Sequence, residues 1–237
     1  MEDRVYIKQL LAGRDFAQRD VVAAQMVNFV YLVGDRQARE CLVVDPAWDV
    51  AGIFEAAARD EMTVTGVLAT HYHPDHIGGD LFGREIEGLA ALKNLHDLPV
   101  HVHRAEAEGV MLMTGLAAND LSLHDGDDTI RVGEVPIRFI HTPGHTPGSQ
   151  CFLVAEKGLV SGDTLFVQGC GRVDLPGGDS EEMYRTMTQR LSRLPGDVVL
   201  FPGHDYAGTP TATMSDQRRS NAALRAGSLE EWRRMMG

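Results

Sequence analysis

The chain has 237 residues, 43% of them hydrophobic, and a formal net charge of −12 at pH 7. That length suffices for one domain with a large buried core, and no apolar run is long enough to span a bilayer. The acidic balance, without a lysine- or arginine-rich stripe, argues against a general nucleic-acid binder.

The N-terminus, Met1-Glu2-Asp3-Arg4, opens with charges, and no signal-peptide hydrophobic region follows. Three cysteines (Cys41, Cys151, Cys170) cannot all pair, so a reduced cytoplasmic protein is expected, with Cys170 in a packing role. Val5–Leu10, Phe29–Val33 and Cys41–Val44 read as strands, the last two joined by a turn at Gly34-Asp35-Arg36. Asp49–Asp60 carries apolar residues at helical spacing, with Asp49 as the cap. Val64–Ala69 reads as a buried strand, and Val100–Val102 and Ile130–Val132 as short ones. Leu89-Ala90-Ala91-Leu92 and Ala105–Leu116 read as helices, so a helical insertion at about 84–125 is expected within a single domain of 1–237. Its Met111, Leu112 and Met113 suit either packing on the core or overhanging a cleft, since methionine adapts to both surfaces. The second half repeats the scheme with strands at Val135–Ile140, Cys151–Ala155 and Val198–Phe201. A helix over Ser180–Leu194 lies between Gly177-Gly178 and Pro195-Gly196. Arg218, Arg219 and Arg225 read as a solvated helix face.

The chemistry begins where Val64–Ala69 ends. His71, His73, Asp75 and His76 form H-x-H-x-D-H, four candidate ligands in six residues. Side chains two apart on an extended backbone point the same way, so His71 and His73 can grip one metal ion. Asp75 and His76 can then face a second. Imidazole and carboxylate together suit zinc, iron or manganese better than calcium. Three further candidates, His145, Asp163 and His204, stand in Gly/Pro-rich loops after strand-like runs. In layered α/β folds such loops converge on one edge, where sites are built. His96, His101, His103, His124 and His141 lack that context.

These residues and their order resemble the metallo-β-lactamase superfamily along nearly the whole chain. The resemblance implies a four-layer αββα sandwich of the α/β class. It also implies a first metal site of His71, His73 and His145, a second of Asp75, His76 and His204, and Asp163 as the bridge. Gly169-Cys170-Gly171-Arg172 and Gly203-His204-Asp205-Tyr206 resemble segments of hydroxyacylglutathione hydrolases (glyoxalase II), in which Arg172 and Tyr206 match positions contacting the thiol carrier. Asp174 stands where those enzymes carry a tyrosine.

The expected function on this reading is a cytoplasmic metallo-hydrolase with two divalent ions, zinc first and iron or manganese as alternatives. Its substrate would be an acyl thioester of a small thiol, with neither nucleic acid nor membrane as partner. Two cations lower the pKa of a shared water and polarise a carbonyl, and Asp75 is the candidate to orient the nucleophile. The rival is a persulfide dioxygenase. Such enzymes resemble this chain in ligand set and in the ending at Gly203-His204-Asp205-Tyr206, and use one iron on two histidines and one aspartate, here His71, His145 and Asp163. A lactonase and a non-catalytic binding module complete the alternatives.

Overall fold

A computed structural model describes residues 2–236. The strands in chain order are β1 (Val5–Leu11), β2 (Phe29–Asp35), β3 (Glu40–Val44), β4 (Thr63–Leu68), β5 (Gly79–Leu81), β6 (Arg84–Ile86), β7 (Val100–His103), β8 (Leu121–His124), β9 (Thr129–Val132) and β10 (Val135–His141). They continue with β11 (Gln150–Val154), β12 (Gly158–Gly162), β13 (Leu165–Phe166), β14 (Gly169–Cys170), β15 (Val199–Pro202) and β16 (Ala212–Thr213). One six-stranded sheet runs β1-β2-β3-β4-β7-β8 and a second runs β16-β15-β12-β11-β10-β9; β5-β6 and β13-β14 are small hairpins.

The runs FVYLVGD (β2) and QCFLV (β11) are buried at every position. A strand covered on both faces gains nothing from alternation, so its sequence is continuously apolar. One face of each sheet meets the other sheet through Phe29, Tyr31, Leu68, Phe139, Phe152 and Val160. The outer face of the first sheet is covered by α1 (Val21–Met26), α2 (Val50–Arg59), α4 (Leu89–Leu95) and α5 (Ala107–Thr114); α3 (Pro74–Ile77) closes its edge. The second is covered by α6 (Ser180–Arg185) with its continuation to Arg193, α7 (Met214–Ser220), α8 (Ala222–Arg225) and α9 (Leu229–Met236), with Trp232 fully buried. The layers are thus helix, sheet, sheet, helix. No helix among the described residues is long and apolar enough to cross a membrane.

Two expectations need correction. The turn after β2 lies beyond Gly34-Asp35-Arg36, because Asp35 is still in the strand and its carboxylate accepts from the Gln37 and Ala38 amides of the real turn. The stretch 84–125 is not helical throughout: β7 and β8 pair in parallel as strands of the first sheet, flanking α5. Parallel pairing needs a crossover, and α4 and α5 are those crossovers. Ser180–Leu194 is helical as expected, but loosens into a π turn over Thr186–Arg190.

Candidate metal centre

Every sequence-predicted ligand lies at the same edge, past the C-terminal ends of β4, β10, β12 and β15. His71 and His73 follow β4, His73 in extended backbone, and Pro74 at the first helical position then starts α3, which presents Asp75 and His76. Glycines let the loops close. A Cβ at Gly203 would stand 2.4 Å from Asp163 Oδ1, and one at Gly162 (φ +48°) 2.5 Å from Thr70 Oγ1.

His71 Nε2 and His145 Nε2 each lie 3.0 Å from His73 Nδ1, forming the first subsite. In the second, His76 Nε2 lies 3.2 Å from His204 Nε2, and Asp75 Oδ2 lies 3.4 Å from both. Asp163 spans the two: Oδ2 is 3.8 Å from His145 Nε2, while Oδ1 is 3.2 Å from His76 Nε2 and 3.3 Å from His204 Nε2.

The outer nitrogens fix which lone pairs point inward. A carbonyl can only accept, so His145 Nδ1 donates to Arg172 O (2.8 Å) and His204 Nδ1 to Met26 O (2.8 Å). The Thr70 hydroxyl donates to Asp45 Oδ2 (2.6 Å) and therefore accepts from His71 Nδ1 (2.9 Å). Asp45 Oδ2 also accepts from His76 Nδ1 at 2.9 Å. These assignments leave four Nε2 atoms bare and convergent in the neutral rings. Asp163 Oδ1 is buried without a hydrogen bond. Lone pair faces lone pair there unless a proton or a cation intervenes, and this donor set of imidazole and carboxylate fits a divalent transition metal.

Electrostatics divide the site. Burial, reinforced by neighbouring imidazoles, holds His71 well below the usual histidine range and His73 down to about 4. Burial also pushes His76 and His204 down, but the Asp163 and Asp75 carboxylates outweigh it; His204 rises to about 9 and His76 well above its usual value. Burial works to raise Asp163 and Asp75, and the facing histidines hold both below the carboxylate range. Protons held on His76 and His204 thus balance the Asp75 and Asp163 carboxylates, the role that a bound cation would take over.

Sequence reasoning missed the groups behind the ligands. Asp45 ends β3 as the ligands end their strands, a signal that the same strand-end logic could have found. Glu106 left no local signal. Its buried carboxylate accepts from Tyr72 N (2.8 Å), Gly148 N (2.6 Å) and Thr146 Oγ1 (2.9 Å), so it ties the His71–His73 loop to the His145 loop. Asn28 donates to Asp75 Oδ2 (3.1 Å), and its own oxygen accepts from the Trp48 indole (3.2 Å).

Arg172 and Tyr206 border the same cleft. Arg172 is held by Asp174 in a two-bonded pair, both contacts 2.7 Å. Tyr206 stacks on the His204 ring, with centroids 4.7 Å apart. Cys170 also borders the cleft, and burial pushes its thiol up to about 12. The other histidines lie outside the centre: His96 stacks on Phe54, His103 on His141, and His101 bonds His124.

Comparison with known proteins agrees with the geometry. The chain is 32% identical over 234 residues to the persulfide dioxygenase ETHE1 of Homo sapiens, covering 95% of this chain and 82% of the relative. It is 35% identical to a hydroxyacylglutathione hydrolase of Rhodospirillum rubrum, covering 88% of this chain and 74% of that one. The crystal structure of ETHE1 from Myxococcus xanthus superposes with a TM-score of 0.77 at 27% identity, covering 98% of this chain and 89% of that chain. These likenesses overturn the expected thioester hydrolase: the similarity to persulfide dioxygenases spans more of both chains. The physical reason for the error is that imidazole and carboxylate ligands of this kind suit hydrolytic zinc and oxygen-activating iron alike. Residues 25–204 match the metallo-beta-lactamase superfamily, and the chain is an enzyme that belongs to it.

Proposed function

We propose that the protein is a persulfide dioxygenase working with one iron ion on His71, His145 and Asp163. The observation that carries the reading is the similarity to persulfide dioxygenases along 95% of the chain. The ligand types support it, because two histidines and one carboxylate with open positions suit non-haem iron oxygen chemistry. Iron, when bound, supplies the redox couple and the open coordination positions. The overall reaction balances as RSSH + O2 + H2O → RSH + SO3²⁻ + 2 H⁺, the terminal sulfur losing the four electrons that dioxygen gains.

The chain's own part is to hold and shield. Thr70 and the Arg172 carbonyl hold the His71 and His145 rings so that both Nε2 lone pairs face inward. Glu106 keeps the two loops in register. Tyr72, whose hydroxyl donates to Pro176 O (2.8 Å), closes one wall of the cleft and limits water.

Metal analysis of protein made with iron available and purified without added metal tests the assignment. We expect about one iron per chain. Two zinc ions per chain, with no iron-dependent oxygen uptake, would refute it.

A further inference from the structure

Behind the metal centre stands a buried ring that the proposed function does not use, that of His103. It lies at the end of β7 with 6% exposure, and its Nδ1 accepts from the Ala105 amide (3.2 Å), which caps the one-turn helix Arg104–Glu106. An amide can only donate, so the neutral ring carries its proton on Nε2. That atom is buried without a hydrogen-bond partner among the described residues. The ring stacks on His141 at the end of β10, with centroids 4.0 Å apart and planes 12° apart. His141 Nε2 in turn donates to Pro147 O (2.9 Å).

This pair sits where two loops of the metal centre meet. The capped turn ends in Glu106, whose carboxylate holds the Tyr72 amide of one loop and Thr146 and Gly148 of the other. A Cβ at Gly148 would stand 2.8 Å from both Glu106 Cγ and His103 Nδ1, so ring, carboxylate and loop are packed together. A second proton on His103 can go only to Nδ1. There it would face the Ala105 N–H, donor against donor, and the cap would be lost. Burial, reinforced by His141, accordingly holds the ring down to about 4. Asp125, just after β8, pulls the other way, and Arg104 on the capped turn adds to the downward push. The remaining titratable neighbours are Glu106 across Gly148 and His124, the register partner on β8, itself bonded to Asp128.

We propose that His103 is a proton-sensitive positioning residue. Neutral, it caps the turn that sets Glu106 and so keeps the His71–His73 and His145 loops together. Protonated, it uncaps that turn, and the loops loosen their hold on a bound metal. The proposal concerns the loops and does not depend on the dioxygenase reading, so it applies to iron and zinc alike. An opened ring titrates near the ordinary histidine value of about 6.5. Between there and about 4, each unit of acidification favours the open form by up to about tenfold, and above that window the closed form is fully retained.

Release of iron(II) from the loaded protein to excess chelator, at neutral pH and at about pH 5, tests this, with the zinc-loaded protein run in parallel. His103→Asn is the deciding variant, because its side-chain oxygen still accepts from the Ala105 amide but takes up no proton. It should release metal at the unaltered protein's rate at neutral pH. Acidification should then accelerate release about tenfold more in the unaltered protein than in His103→Asn. Protonation of the metal ligands and of Glu106 acts in both proteins and cancels from that ratio. His103→Ala, uncapped at every pH, should release metal about fivefold faster already at neutral pH. Equal acid acceleration in the unaltered protein and His103→Asn would overturn the proposal, as would unchanged release from His103→Ala at neutral pH. Should His103→Ala fail to fold, the ratio for His103→Asn decides alone.

Discussion

The floor and the roof of the cleft are built by different physics. The floor consists of loops after β4, β10, β12 and β15, where His71, His76, His145 and His204 are buried and each has its outer nitrogen fixed by a hydrogen bond. The roof, the β5-β6 hairpin and α5, leaves Phe82 and Leu112 exposed, while Leu81 and Met113 pack partly on the core. Directional, buried interactions position reacting atoms to a fraction of an ångström, whereas apolar surface selects by shape and charge without fixing geometry. On the proposed function, the chemistry falls to the floor and contact with the rest of the substrate to the roof. Substitutions in the two regions should differ in kind.

The largest effect is expected at the floor. Asp163→Ala removes the carboxylate that spans both subsites, and should weaken metal binding by more than about 100-fold, beyond what loss of an outer partner costs. Metal analysis after dialysis reads this directly, and a variant with full metal content would break the account. Next comes the core beneath. Phe152→Ala, between the two sheets, should cost about 3–5 kcal/mol in denaturant unfolding. A loss below 1 kcal/mol, outside that range, would show that the sheets repack freely.

Glu106→Gln sharpens the comparison, because it lies on the roof side in sequence yet serves the floor. Its amide NH2 must face one of the three donors that the carboxylate accepts, so metal affinity should fall about 10–100-fold. Competition against a chelator measures this; unchanged affinity would remove Glu106 from the floor. Leu112→Ser should be the mildest, changing stability by no more than about 0.5 kcal/mol, since an exposed side chain has little packing to lose. A large loss of stability would mean that Leu112 is covered after all.

The sequence exposed the floor because its ligands sit in local motifs at strand ends, and H-x-H-x-D-H needs no long-range information. The buried strands were legible as apolar runs for the same reason. Glu106 was not, since its partners are 34, 40 and 42 residues away in the chain. β8 escaped notice because LSLH alternates over only four residues, and the β5-β6 hairpin because its glycines read as loop. Asp35 misplaced a turn, its carboxylate capping a bend that begins after it. The reaction was the hardest to read: imidazole and carboxylate donors suit hydrolytic zinc and oxygen-activating iron alike, so residue types gathered the candidate ligands but misassigned the chemistry.

Oxygen consumption by the iron-loaded protein with a persulfide tests the central claim most directly. The account predicts one dioxygen consumed and one sulfite formed per persulfide, abolished in Asp163→Ala. No uptake above that of the metal-free protein, with apolar and anionic persulfides alike, would contradict it.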